Sequence, residues 1–139
     1  MIGIIVTGHG NFASGLESNL NLIIGNVDNI IAIDFEKSDS PDSLESKIDN
    51  AIEKLSNCSG IILFTDLLNG TPFNVAIKKA VSNQKIRLVY GVNAAMLLEL
   101  STKMSFSDSL DDMVNEAIET GKQQIGLFTV KKSIEEDEL

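Results

Sequence analysis

The sequence predicts an α/β fold built on a parallel sheet with helices on both faces. Three observations carry this. Short apolar runs alternate with amphipathic segments, and four such pairs follow one another in series, which is the pattern of successive strand–helix units. The runs are continuous in Ile, Val and Leu rather than alternating with polar residues, as in strands buried on both faces. Polar loops rich in glycine or asparagine follow the runs, where open parallel sheets place their ligands.

The first run covers residues 2–6 and is closed by Thr7-Gly8-His9-Gly10. Phe12, Leu16, Leu20, Ile23 and Ile24 then fall on one side of a helix, and Gly25 can end it. The second run covers residues 30–35. Ser40-Pro41 gives an N-cap with proline at the first helical position, followed by Leu44, Ile48, Ile52 and Leu55 at helical spacing. A third run over residues 60–65 ends at Asp66. Asn69-Gly70 leads to Thr71-Pro72, a second cap-plus-proline start, with Phe73, Ala76, Ile77 and Ala80 behind it. The fourth run covers residues 87–92 and ends at Asn93. Residues 94–100 predict a short helix, and residues 110–119 another, capped by Ser107 or Ser109 and ended by Gly121. Residues 125–130 predict a last strand, whose direction the pattern leaves open.

With 139 residues, the chain suits one domain able to bury a core without disulfides. It holds 43% hydrophobic and 22% charged residues and no tryptophan, so aliphatic side chains must fill the interior. The net charge of −9 argues against nucleic-acid partners and anionic membranes. Glu135-Glu136-Asp137-Glu138 contributes to it, and residues 131–139 read as a flexible acidic tail. Cys58 is the one cysteine and reads as a small apolar residue in a reducing compartment. The N-terminus lacks a signal-peptide pattern, and no apolar run approaches the roughly 20 residues of a membrane span. The expected location is the cytoplasm, without direct membrane insertion.

The strand-end loops concentrate the unusual chemistry: Thr7-Gly8-His9-Gly10, the run from Asp66 to Thr71, and Gly91-Val92-Asn93. His9 is the only histidine and lies between two glycines, whose small backbone lets another molecule approach. A neutral imidazole is a nucleophile near neutral pH once one nitrogen is fixed as donor and the other is free. A carboxylate can fix it, as the third member of a catalytic triad does. Asp66 is the candidate, provided the first and third strands are neighbours. The Asn69-Gly70-Thr71-Pro72 stretch reads as a turn and helix start, whose amides and hydroxyl could also hold a phosphoryl group. Phosphoryl transfer requires mainly positioning and charge stabilisation. No metal-ligand spacing and no GxxxxGK[ST] loop occurs, so neither metal nor cofactor is expected. Ser14 and Ser18 have no second histidine to serve as base.

Three blocks resemble the mannose-family IIA components of bacterial sugar phosphotransferase systems. They are Ile4-Ile5-Val6-Thr7-Gly8-His9-Gly10, Phe64-Thr65-Asp66 with Asn69-Gly70-Thr71-Pro72-Phe73-Asn74, and Gly91-Val92-Asn93-Ala94-Ala95-Met96-Leu97. The resemblance keeps order and spacing over residues 1 to about 130 and identifies that span as a IIA domain of this family. It implies a doubly wound, flavodoxin-like sheet of four parallel strands in order 2-1-3-4. A C-terminal antiparallel strand, residues 125–130 here, would be exchanged in a homodimer. It implies that His9 Nε2 takes a phosphoryl group from the phosphocarrier HPr and passes it to a IIB component, which serves the IIC and IID membrane components. Asp66 would orient His9, and Gly10, Asn69, Gly70 and Thr71 would surround the phosphoryl group. Asn11, Leu22 and Asn69 depart from residues common in the family, at partner-contact positions rather than at the histidine–aspartate pair.

Two rivals use other parts of the sequence. Gly8-x-Gly10-x-x-Ala13 fits a relaxed dinucleotide-binding fingerprint, with Asp34 as a ribose-binding acid, but it leaves His9 and the Asp66 loop without a role. A regulatory relative, such as the component that serves dihydroxyacetone kinase, would keep the histidine and change the partner. The acidic charge further predicts that helix dipoles and backbone amides, rather than Lys or Arg, compensate a phosphoryl group at this site.

Overall fold

A computed structural model describes residues 1–103 and 109–130. Four strands, β1 (Ile2–His9), β2 (Ile30–Phe35), β3 (Gly60–Thr65) and β4 (Ile86–Tyr90), form one parallel sheet in the order β2-β1-β3-β4. The helices are α1 (Phe12–Ile24), α2 (Pro41–Lys54), α3 (Thr71–Ser82), α4 (Ala94–Lys103) and α5 (Leu110–Gln123). The order makes β1 and β3 neighbours, with Thr7 opposite Thr65. The tail, residues 131–139, and the alternative cap Ser107 lie outside the described residues.

The period-two alternation of a strand splits its side chains between two cores. Ile4, Val6, Ile62 and Phe64 join Leu20 of α1, Leu97 of α4 and Met113 of α5. Ile5, Ile33, Ile61 and Leu63 join Leu44 and Ile48 of α2 and Val75 of α3 on the opposite face. Both faces of the sheet are therefore covered, which is why the runs carry no alternating polar residues.

Helix α2 starts as the Ser40-Pro41 signal predicts. Ser40 Oγ accepts from the Ser43 amide at 3.1 Å and Ser43 Oγ accepts from the Ser40 amide at 2.8 Å, closing a capping box. Elsewhere the structure corrects the element expectations. β1 continues through His9, because Gly8 and His9 still pair with Asp34 and Phe35 of β2. The cap of α3 is Gly70 rather than Thr71, which is already the first helical residue. The buried face of α3 uses Pro72, Val75 and Ala76, and leaves Ile77 exposed. Ile23 and Ile24 at the end of α1 are also exposed.

Gly121 does not end α5. It lies inside the helix, where a Cβ would stand 2.5 Å from Met96 Cγ, so its lack of a side chain lets α4 and α5 approach. Asn93 ties the same corner, donating from Nδ2 to the Gly121 carbonyl at 3.1 Å and accepting the Met96 amide at 3.1 Å. Residues 125–129 form neither helix nor strand in the single chain. Ile125, Leu127 and Phe128 are exposed.

Candidate functional site

The site stands at the carboxyl ends of β1 and β3, where the strand order around the central pair brings two loops together. His9 is the last residue of β1 and Asp66 follows β3 directly. Asp66 Oδ2 accepts twice from His9, from the backbone amide at 3.0 Å and from Nδ1 at 2.8 Å. Its Oδ1 accepts the Leu67 amide at 2.9 Å. A carboxylate can only accept, so Nδ1 carries the proton and the neutral ring keeps its lone pair on Nε2. Burial pushes the Asp66 carboxyl up. The bonds from the His9 amide and ring and from the Leu67 amide outweigh burial and hold it below its ordinary value.

The His9 side chain is 45% exposed against 11% for Asp66. The pair thus has a sheltered proton-accepting end and an open nucleophilic end. Phe35 meets the imidazole edge to face, with centroids 6.1 Å apart. Its carbonyl accepts the Gly10 amide at 2.8 Å. Gly10 takes a left-handed φ of 58° with open space where a side chain would project, which keeps the approach to the ring clear.

On the Nε2 side stands the start of α3. Gly70 has φ 111° and lies so close that a Cβ there would be 3.0 Å from His9 Nε2 and 2.8 Å from Cε1. No side chain caps this helix. By contrast Ser40 caps α2 and Ser109 caps α5. The free end of the imidazole therefore faces an uncapped helix N-terminus, which carries about half a positive charge. Asn69 is exposed and Thr71 half-buried beside it.

The structure separates the other sequence candidates from this centre. Asn93 is committed to α4 and α5. Asp34 accepts the Ser14 amide at 2.9 Å and the Ser14 hydroxyl at 2.6 Å, so its carboxylate is engaged with α1 rather than open to a ribose. Two contributors were not legible beforehand. Phe35 reads as an ordinary strand residue until its pairing with His9 is known. Leu67 contributes only its amide, which leaves no trace in residue type.

The chain is similar to known proteins over most of its length. A family model described as EIIA-man, PTS system fructose IIA component, matches residues 3–118. The mannose-specific EIIAB component of Escherichia coli strain K12 is 28% identical over 130 residues, 94% of this chain. This chain spans only 40% of that protein's length. The sorbose-specific EIIA component of Lacticaseibacillus casei is 35% identical over 98 residues, 70% of each chain. A crystal structure of phosphotransferase system component EIIA from Streptococcus agalactiae superposes with a TM-score of 0.85 at 32% identity, covering 92% of this chain and 98% of that one. The chain belongs to the EIIA-man family of phosphotransferase-system IIA components.

Proposed function

We propose that this chain is a phosphoryl carrier of a phosphoenolpyruvate-dependent sugar phosphotransferase system, with His9 Nε2 as the acceptor. One observation carries the reading: the ring is held at Nδ1 by Asp66 at 2.8 Å while Nε2 faces the uncapped start of α3. In the forward step the Nε2 lone pair attacks the phosphorus of phosphorylated HPr. A new N–P bond forms as the donor's N–P bond breaks, and no proton need move. Asp66 stabilises the positive charge that develops on the ring. The amides of Gly70 and Thr71, with the Thr71 hydroxyl and Asn69, receive the phosphoryl oxygens. Gly10 contributes room rather than a donor, since its amide is bonded to Phe35. The reverse geometry passes the group to a histidine of a IIB component, and through it to the sugar taken up by the membrane components. The matched relatives are named for mannose, fructose and sorbose, and a IIA component does not itself touch the sugar.

The domain in this reading is residues 1–130, working in the cytoplasm as a homodimer. β4 is an edge strand, beside a groove of about 380 Å³ lined by Leu88, Tyr90, Val114, Ile118 and Ile125. An exposed strand edge next to the apolar residues 125–130 is a liability that strand exchange with a second copy removes. Among the described residues no helix is long and apolar enough to cross a membrane.

The test is phosphorylation by phosphoenolpyruvate, enzyme I and HPr, with wild type beside His9→Ala and Asp66→Ala. An acid-labile, base-stable phosphate on wild type and none on His9→Ala is expected, with slow transfer to Asp66→Ala. Wild type that stays unmodified beside fully charged HPr would overturn the proposal. Light scattering at micromolar concentration checks the dimer, and a monomer there would refute strand exchange.

A further inference from the structure

Two helix N-termini flank the His9 loop. Helix α1 begins at Phe12, three residues after His9, and α3 begins at Thr71, next to the Gly70 that meets the ring. Each end carries partial positive charge and amides without an intrahelical partner, so each could attract a phosphoryl dianion. Their occupancy differs. The residue at the N-cap of α1, Asn11, makes no side-chain cap bond. The cap comes instead from another strand: Asp34 Oδ1 accepts the Ser14 amide at 2.9 Å and Asp34 Oδ2 accepts the Ser14 hydroxyl at 2.6 Å. Asp34 lies opposite Gly8 in the β1–β2 register, one pair before His9 and Phe35.

A neutral side chain could satisfy the same amide. A carboxylate does more, because a full negative charge exceeds the roughly half charge of the helix end it covers. The N-terminus of α1 is thereby made repulsive to a second anion, while that of α3 stays uncapped and attractive. We propose that Asp34 is a positioning residue: its carboxylate closes the α1 N-terminus to the phosphoryl group and leaves the α3 N-terminus as the group's seat. This inference rests on the carrier reading of His9 and adds to it the direction in which the phosphoryl group is held.

The experiment is amide-resolved NMR of the full chain before and after phosphorylation by phosphoenolpyruvate, enzyme I and HPr. In wild type the large shift changes fall on the amides of Gly70, Thr71 and Phe73, and those of Phe12, Ala13 and Ser14 move little. In Asp34→Asn the changes at Phe12, Ala13 and Ser14 rise about threefold or more, as the charge that covers that helix end is removed. Asp34→Ser, a second neutral variant, behaves alike. Ser14→Ala keeps the carboxylate on the amide and retains the wild-type pattern, which loss of a merely structural contact would not predict. Wild-type changes at Phe12–Ser14 as large as those at Gly70–Phe73 would overturn the inference without any variant. So would identical patterns in wild type and both Asp34 variants. Wild type that takes up no phosphate overturns the carrier reading instead, which keeps the two failures distinct.

Discussion

Gly70 offers the sharpest perturbation of the site, because two separate penalties meet at one atom. Its φ of 111° and ψ of 171° belong to a region that essentially only glycine occupies, so alanine there costs about 1–3 kcal/mol in backbone strain. At this chain length each kcal/mol lowers Tm by about 3–5 °C, which puts Gly70→Ala roughly 3–15 °C below wild type. The second penalty is local. The new methyl would stand 2.8 Å from His9 Cε1 and 3.0 Å from Nε2, inside van der Waals contact and on the nucleophilic side of the ring. Gly10→Ala is the control. It also takes a left-handed φ, 58°, but its Cβ meets nothing within 4 Å, so it carries about 1–2 kcal/mol of strain and no obstruction. His9 is the only histidine, so the rate of its acylation by diethyl pyrocarbonate, followed by ultraviolet absorbance, reports Nε2 access without a partner protein. Gly70→Ala should acylate about tenfold more slowly, a barrier increase of about 1.4 kcal/mol. Gly10→Ala should stay within about twofold of wild type, since strain alone does not cover the nitrogen. If Gly70→Ala acylates at the wild-type rate, or if both variants slow equally, the placement of Nε2 against α3 is refuted.

Three further outcomes follow from contacts described above. Asp66 has a folded-state carboxyl below its ordinary value, so its stabilisation is fully present above the unfolded value near 3.8 and is lost as pH falls through the folded value. Urea midpoints compared between pH 7 and pH 3 should therefore fall more steeply for wild type than for Asp66→Asn, and equal slopes would refute the assignment. Gly121→Ala drives a methyl into Met96, 2.5 Å from Cγ, and should cost about 1–3 kcal/mol by overpacking. It should lower Tm without changing His9 acylation, since the damage lies at the α4–α5 contact. Ser40→Ala opens the capping box of α2 and should cost about 1 kcal/mol in a denaturant melt, and no loss would show that the remaining Ser43 contacts hold that helix start.

The parts of the fold written in local physics were legible in the sequence. Residues 60–65 form β3 as expected, because a six-residue apolar run bounded by Ser59 and Asp66 admits little else. Ser40-Pro41 fixes the start of α2 for the same local reason. Errors arose where the answer depended on a distant partner. Gly121 reads as a helix end until Met96 is seen against it. Ile77 and Val75 are both apolar and two positions apart, and only the packing of α3 on the sheet decides that Val75 is buried. Residues 125–130 are not among these errors: their strand composition calls for a partner strand, which the proposed second copy supplies. At the site, His9 and Asp66 were legible as residue types, but their contact required β1 and β3 to be adjacent. Asp34 reads in the sequence as an acid at a strand end, which suits a ribose only in the dinucleotide-binding rival, and nothing near it reveals Ser14 as its partner.

The histidine and the carboxylate that fixes its proton are 57 residues apart in sequence. Between them lie two strand–helix crossovers that must close before β1 and β3 can pair. Such non-local closure is slow compared with helix formation. During refolding, an imidazole without Asp66 has no fixed tautomer, however much helix the chain has formed. Selection of Nε2 as the nucleophilic nitrogen is therefore gained with the central strand pair, and it accompanies assembly of the sheet. In the proposed carrier, a chain halted before that step would hold its nucleophile without the carboxylate that orients it and would take up the phosphoryl group slowly, so incomplete molecules would draw little from the relay.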